Sequence, residues 1–252
     1  MSTAAGPVST AARPDVSADP GPGVIKAVGV VIPAHNEEGL LPSCLAAVRV
    51  AAGMLAAIPV HVVVAADDCT DSTVQRAHDG GATVVQISTR SVGAARDAGM
   101  RTVLRATRHL DPAAVWLATT DADTLVPPGW LARQVRHADQ GWDAVVGTVT
   151  VTDWTGHPPE VPPRYRERYG HDQGTHPHVH GANLGFTALA YLRAGGFESR
   201  RTAEDRALVS ALDAAGCRIL RTRQVNVVTS ARRHARAPHG FSHLLSTLAA
   251  GE

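Results

Sequence analysis

The sequence predicts an α/β protein with a doubly wound, mainly parallel sheet flanked by helices. Three observations carry this. Short β-branched runs alternate with helical patterns through the first half of the 252-residue chain, as in parallel strands joined by crossover helices. Acidic residues stand at the ends of two of those runs, where open parallel sheets bind ligands. The second half is less regular and holds a long Pro-, His- and Gly-rich stretch from His157 to His180.

Residues 1–24 are rich in Ala, Ser, Pro and Gly and read as a disordered leader without the apolar core of a signal peptide. Residues 25–252 read as one domain, divided near residue 125. Ala27 to Ile32 is the first strand, and Asn36-Glu37-Glu38 opens a helical pattern through Leu40, Leu41, Leu45 and Val48. Pro59 to Ala66 is a second buried strand, after which Asp71-Ser72-Thr73 can cap a helix to about His78. Ala82 to Ile87 is a third strand and Gly93 to Arg108 a helix. Val115 to Ala118 is the fourth strand. Beyond it a helix is expected from Trp130 to Ala138, a strand from Ala144 to Thr152, and helices over Asn183–Gly195, Ala203–Ala215 and Gly240–Ala250.

Composition narrows the function. A hydrophobic share of 44% with 19% charged residues is an ordinary globular balance. A formal net charge of +1 argues against nucleic acid as the main partner. The three cysteines, Cys44, Cys69 and Cys217, are widely spaced and form no disulfide framework or Cys-x-x-Cys pair, which points to a reducing, cytoplasmic setting. No apolar run approaches the roughly 20 residues that span a bilayer. Oligomeric state is left open, a homodimer included.

The fourth strand leads into Thr120-Asp121-Ala122-Asp123. On an extended segment, side chains at i and i+2 point the same way. Two carboxylates held together are costly unless they share a cation or a proton. A hard ion such as Mg2+ or Mn2+ prefers carboxylate oxygen and completes its shell with substrate phosphates. The pair therefore reads as a metal–diphosphate clamp, with a solvated acidic turn or a helix N-cap as the plainer alternative.

Six segments together resemble family 2 glycosyltransferases of the GT-A fold. Val30-Val31-Ile32-Pro33-Ala34-His35-Asn36-Glu37-Glu38 is similar to the family's first strand and loop, and Asp67-Asp68-Cys69-Thr70-Asp71 to its second signature. Gly93 to Gly99 resembles its Arg-bearing helix and Thr120-Asp121-Ala122-Asp123 its metal motif. Gly181-Ala182-Asn183-Leu184-Gly185-Phe186 resembles its acceptor-side segment, and Glu204-Asp205 the pair that holds the base.

The resemblance implies a nucleotide-sugar-binding half over residues 25–125 and an acceptor-binding half over 126–252. It implies that Pro33, Ala34, His35 and Glu37 line the nucleobase and ribose pocket, and that Asp67 accepts a hydrogen bond from the base. Arg96 would reach the nucleotide or its phosphates. Asp121 would touch ribose or metal within the Asp121-Ala122-Asp123 segment, and Asp123 would bind the Mn2+ or Mg2+ ion directly. Asp205 would be the general base, in the first turn of a helix whose positive end favours a carboxylate. Glu204, His180, Gly181 and Asn183 would meet the acceptor. The implied activity is hexosyl transfer from a UDP- or GDP-linked sugar to a hydroxyl, with inversion.

The chain departs from processive members of the family, which carry Gln-x-x-Arg-Trp after the base and membrane helices. Here that place holds Thr229-Ser230-Ala231-Arg232-Arg233-His234-Ala235-Arg236, so one sugar added to a small or soluble acceptor is the expectation. An Arg/His-rich loop there could fold over the diphosphate, and His234 is a candidate third metal ligand. The cluster of His171, His176, His178 and His180 admits three readings: a zinc site, an acceptor-binding loop or a flexible polar loop. Two competing functions stand beside transfer. A nucleotidyltransferase would need a Gly-rich basic loop after the first strand, which Pro33 to Glu38 lacks. A non-catalytic nucleotide-sugar-binding protein would have no need of Asp205.

Overall fold

The computed structural model describes residues 24–169, 175–232 and 247. The expected leader (Val24 apart), the expected helix over Gly240–Ala250 (Thr247 apart), His171 and His234 lie outside the described residues. Eight strands form one sheet: β1 (Ala27–Ala34), β2 (Val60–Asp67), β3 (Thr83–Ile87), β4 (Val115–Thr119), β5 (Thr124–Leu125), β6 (Ala144–Thr150), β7 (Leu184–Thr187) and β8 (Ile219–Thr229). They lie in the order β3-β2-β1-β4-β7-β6-β8-β5. The helices are α1 (Leu41–Gly53), α2 (Thr73–Asp79), α3 (Val92–Ala106), α4 (Trp130–Asp139), α5 (Val161–Tyr169), α6 (Ala188–Arg193) and α7 (Glu204–Ala214).

Strands β3, β2, β1 and β4 run parallel. Both faces of β1 are covered, which explains its unbroken apolar run. Val28, Val30 and Ile32 join Leu41, Leu45 and Val48 of α1 in one core, while Val31 joins Met100 and Val103 of α3 on the opposite face. The period-two alternation of a strand divides them. Two glycines let α3 approach β1: a Cβ on Gly29 would lie 2.3 Å from Val103, and one on Gly99 would lie 2.4 Å from Val31.

The sheet changes character at β7. This strand lies antiparallel between β4 and β6, with Thr119 opposite Leu184. The end of β4 therefore meets the start of β7, which brings Gly181-Ala182-Asn183 beside the acidic pair. The helix expected over Asn183–Gly195 is corrected here. Gly181–Asn183 is a 3-10 turn, Leu184–Thr187 is β7, and only Ala188–Arg193 is helical. A strand buried on both faces shows no alternation, so its period misleads. Thr187 ends it by accepting the Ala190 N–H at 3.1 Å and capping α6.

Strands β5 and β8 answer to no element in the sequence reading. β8 pairs with both β6 and β5, although Arg221, Arg223, Gln224 and Asn226 interrupt its apolar pattern. Helix α1 begins at Leu41, with Pro42 in its first turn, because Asn36 takes a left-handed φ of 53° and turns the chain before it.

Candidate active site

The loops after β1 and β2 brace each other. Asn36 Oδ1 accepts the Thr70 N–H at 2.8 Å, and Glu37 N–H donates to the Thr73 hydroxyl at 2.7 Å. Glu38 N–H donates to Asp71 at 3.1 Å, and Glu38 accepts the Ser72 N–H at 2.9 Å. Pro33, Ala34, His35 and Glu37 thus sit on a fixed rim. His35 Nδ1 lies 2.7 Å from the Asp67 carbonyl and Nε2 lies 2.9 Å from an Arg90 guanidinium nitrogen. A carbonyl only accepts and a guanidinium only donates, so these partners assign the proton to Nδ1.

Asp67 is spent within the protein. Its Oδ1 accepts the N–H groups of Thr89 at 2.7 Å and Arg90 at 2.9 Å. Its Oδ2 accepts the Ser91 N–H at 2.7 Å and the Thr89 hydroxyl at 3.2 Å. Burial alone would raise its pKa, but those N–H donors win and hold it below the usual carboxylate range. Four bonds use the lone pairs of both oxygens, so its visible work is to pin the loop between β3 and α3.

The acidic pair is held by two arginines. Asp121 Oδ1 accepts from Arg96 Nη2 at 2.7 Å. Asp123 Oδ2 accepts from Arg232 Nε at 2.8 Å, with a second Arg232 nitrogen on the same oxygen, and Arg232 Nη1 reaches Glu37 at 2.8 Å. Burial raises the pKa of Asp123; Arg232 opposes the shift and the neighbouring Asp121 adds to it. Beneath the pair, the Cys44 thiol donates to the Asp121 carbonyl at 3.3 Å. Burial, reinforced by the two aspartates, pushes that thiol up to about 12, so it stays protonated.

The all-oxygen donor set fits a hard divalent ion. Two carboxylates, Asp121 and Asp123, stand on one short loop, and phosphate oxygens would complete the shell. Among the described residues no group of three His, Cys, Asp or Glu is placed to hold a metal ion; Asp121 and Asp123 would supply part of a shell.

Arg96 is buried against Asp121, with its side chain 2% exposed. Besides Asp121 it donates to the Thr119 hydroxyl and, through Nε, to Glu204 Oε1 at 3.2 Å. Glu204 is buried on this ion pair. Asp205 remains half-exposed at the start of α7, and its Oδ2 accepts the Gly181 N–H at 2.9 Å. Asn183 is also turned inward. Its Nδ2 donates to the Thr148 and Val225 carbonyls at 2.8 and 3.0 Å, and its Oδ1 accepts from Trp130 at 2.9 Å. It bolts the 3-10 turn to β6, β8 and α4.

The histidines form a stacked wall. The His178 ring lies 4.1 Å from the Tyr169 ring at an interplanar angle of 8°, and His180 stacks on Tyr169 at 5.6 Å while bonding its hydroxyl. His176 Nε2 lies 3.1 Å from the Val146 carbonyl. Burial lowers the pKa of all three, and that of His180 to about 4. They are neutral packing rings. His157 sits apart, donating to the Ala231 carbonyl beside Arg232. Tyr165 and Tyr169, which the sequence offers as an acceptor-binding helix or a solvated amphipathic one, lie buried on α5; the contacts of Arg232 with Asp123 and Glu37 have no signal in the sequence beyond its place in the Arg/His-rich stretch. Recognising β8 would have placed Arg232, three residues past its end, at the sheet edge.

This sheet, with paired aspartates after β4 and a carboxylate opening α7, is the architecture of a GT-A glycosyltransferase. The pattern of the glycosyl transferase family 2 matches residues 29–193, and the chain belongs to that family. Staphylococcus aureus TarS 1–349 in complex with UDP-GlcNAc is similar in structure, with a TM-score of 0.61 at 14% identity, covering 89% of this chain and 66% of that one. A Pyrobaculum calidifontis mannosyltransferase in complex with GDP-Man and Mn2+ gives 0.58 at 21% identity, over 88% of this chain and 68% of that one. Glucosyl-3-phosphoglycerate synthase from Mycobacterium tuberculosis, with Mn2+, UDP-Glc and phosphoglyceric acid, gives 0.55 at 18%, over 89% and 76%. The chain thus spans just under two thirds of the TarS chain. No curated protein matches it. Among the described residues no helix is long and apolar enough to cross a membrane.

Proposed function

We propose that the protein moves one sugar from a UDP- or GDP-linked donor to a hydroxyl of a small or soluble acceptor, with inversion and without processive elongation. The observation behind this reading is the convergence of Asp121 and Asp205 around the Arg96 guanidinium, with Asp123 two residues further along the same acidic loop. Donor-side and acceptor-side groups then share one cleft at the carboxyl ends of β1, β2 and β4. That the similar structures hold UDP- and GDP-sugars, two of them with Mn2+, supports the donor class and leaves the nucleotide open.

In this reading Asp123 and Asp121 hold the metal ion. Bound there, the ion supplies Lewis-acid stabilisation to the diphosphate as it departs. Asp205 takes the proton from the acceptor hydroxyl. The Gly181 N–H occupies one lone pair of its Oδ2 and the Arg206 N–H one of its Oδ1, which leaves a lone pair on each oxygen for an acceptor within about 2.6–3.2 Å. A single base facing the departing diphosphate makes inversion the expected outcome. The wall of Tyr169, His178 and His180 borders the acceptor side, where neutral rings suit a sugar or another uncharged hydroxyl compound. Free thiols at Cys44, Cys69 and Cys217 suit a reducing, cytoplasmic setting.

The test is thermal stabilisation by a panel of nucleoside diphosphates with and without Mn2+. A ligand at 100 times its Kd stabilises by about 2.7 kcal/mol, so one nucleotide should raise Tm clearly and only with metal. Indifference to every nucleotide would remove the donor assignment. A product that keeps the donor's anomeric configuration would remove the role of Asp205.

A further inference from the structure

Arg96 bonds both the acidic loop after β4 and the first turn of α7. Its Nη2 reaches Asp121 at 2.7 Å and its Nε reaches Glu204 at 3.2 Å, with Nη1 on Thr119. Its Cζ stands 5.8 Å from the centre of the Phe197 ring. A third segment lies against it: a Cβ on Gly181 would lie 2.3 Å from Nη2, and the Gly181 N–H donates to Asp205 Oδ2, whose other oxygen accepts the Arg206 N–H. The guanidinium is planar, with its donors in a fixed fork. Displacement of Asp121 from Nη2 would therefore release one arm of the plane that also bonds Glu204 and packs against Gly181. Burial of a cation at 2% exposure is tolerated because two carboxylates compensate it.

Resting on the donor-binding reading above, we propose that Arg96 is a positioning residue that couples the two sides of the cleft. Engagement of Asp121 by the metal and diphosphate draws on its bond to Arg96. The guanidinium then leans toward Glu204 and resets Asp205 through the first turn of α7 and through Gly181. Occupation of the donor side thereby readies the base, and the base side tunes donor affinity in return, because coupling between sites is reciprocal.

A double-mutant cycle on Mn2+–nucleoside diphosphate affinity, read by calorimetry without acceptor or turnover, tests this. Glu204→Gln is isosteric and keeps an acceptor for Nε but removes the charge. In the wild-type background it should weaken the metal–nucleotide complex about tenfold, because Arg96 then turns fully to Asp121. In an Arg96→Lys background the same change should cost less than about twofold, since the fork is gone. An equal factor in both backgrounds would mean plain charge loss and would overturn the coupling. A second measurement needs no variant. Hydrogen exchange across Gly181 and the start of α7 should change on adding Mn2+ and nucleotide to the wild type, and unchanged exchange there would also overturn it. If the wild type binds no nucleotide with metal, the donor reading itself falls, an outcome distinct from equal factors in the two backgrounds.

Discussion

Gly181 donates its N–H to Asp205 Oδ2 at 2.9 Å and leaves no room for a side chain beside Arg96, since a Cβ would stand 2.3 Å from Nη2. Two motifs that are far apart in sequence are thus joined at one glycine. Gly181→Ala must push the buried guanidinium aside. Overpacking of this kind costs about 1–3 kcal/mol in stability, and turnover should fall at least about tenfold because small misplacements at a reacting centre are costly. Melting curves and steady-state kinetics check both. Wild-type turnover in the variant would show that the contact does not matter.

Asp205→Asn keeps the shape and the bond from Gly181 but removes the base. General-base catalysis contributes roughly 10²–10⁴-fold, so kcat should drop by that order. A drop of less than about threefold would remove Asp205 from the proton transfer.

Arg232 places a permanent cation on Asp123 and Glu37. Arg232→Ala should raise the affinity for free Mn2+ several-fold, on the order of the 5–150-fold range of coupled sites, because the metal no longer displaces a guanidinium. Electron paramagnetic resonance of unbound Mn2+ measures it. Weaker metal binding in the variant would instead make Arg232 part of the binding set.

Burial holds the His180 imidazole neutral, with its pKa down at about 4 from an ordinary 6.5. Below pH 6.5 the unfolded chain therefore takes up a proton that the folded chain refuses. The unfolded state binds more protons across that window, so stability rises with pH from about 4 to 6.5 and is lost on acidification. His176 and His178 shift the same way. The His180 term amounts to roughly 3 kcal/mol. Denaturant midpoints at pH 7, 5.5 and 4.5 should fall in that order, and His180→Asn should flatten the slope. If the acceptor meets His180, His180→Ala should also raise the acceptor KM or lower turnover, and unchanged kinetics would separate it from the acceptor.

The sequence displays the donor half well because its inner strands β1 and β4 are covered on both faces. Runs such as Val62 to Ala66 and Val115 to Ala118 carry little but apolar residues, and carboxylates follow within three residues of their ends, at Asp67 and Asp121. Asp121, Asp123 and Asp205 were legible for the same reason, since each sits at an element boundary with a local signature. What lay hidden depends on pairing across long distances. Leu184 to Thr187 is a strand only because β4 and β6 flank it, and β8 is recognisable only from its partners. The inward turn of Arg96 and Asn183, and the stacking of His178 on Tyr169, follow from that register and leave no trace in spacing.

The seam between β4 and β7 also sets a timetable. Strands β1 to β4 have all their mutual partners once residue 119 is made, yet β4 waits for Leu184, Arg96 for Glu204, and Asp123 for Arg232. At the usual 5–20 residues per second of synthesis, the donor half precedes the closing contacts by on the order of ten seconds. Throughout that interval the nascent chain carries an unpaired strand edge at Trp116 and Leu117. Such an edge is a template for pairing with the wrong partner, so yield during expression, more than stability once folded, is where this topology exacts its toll.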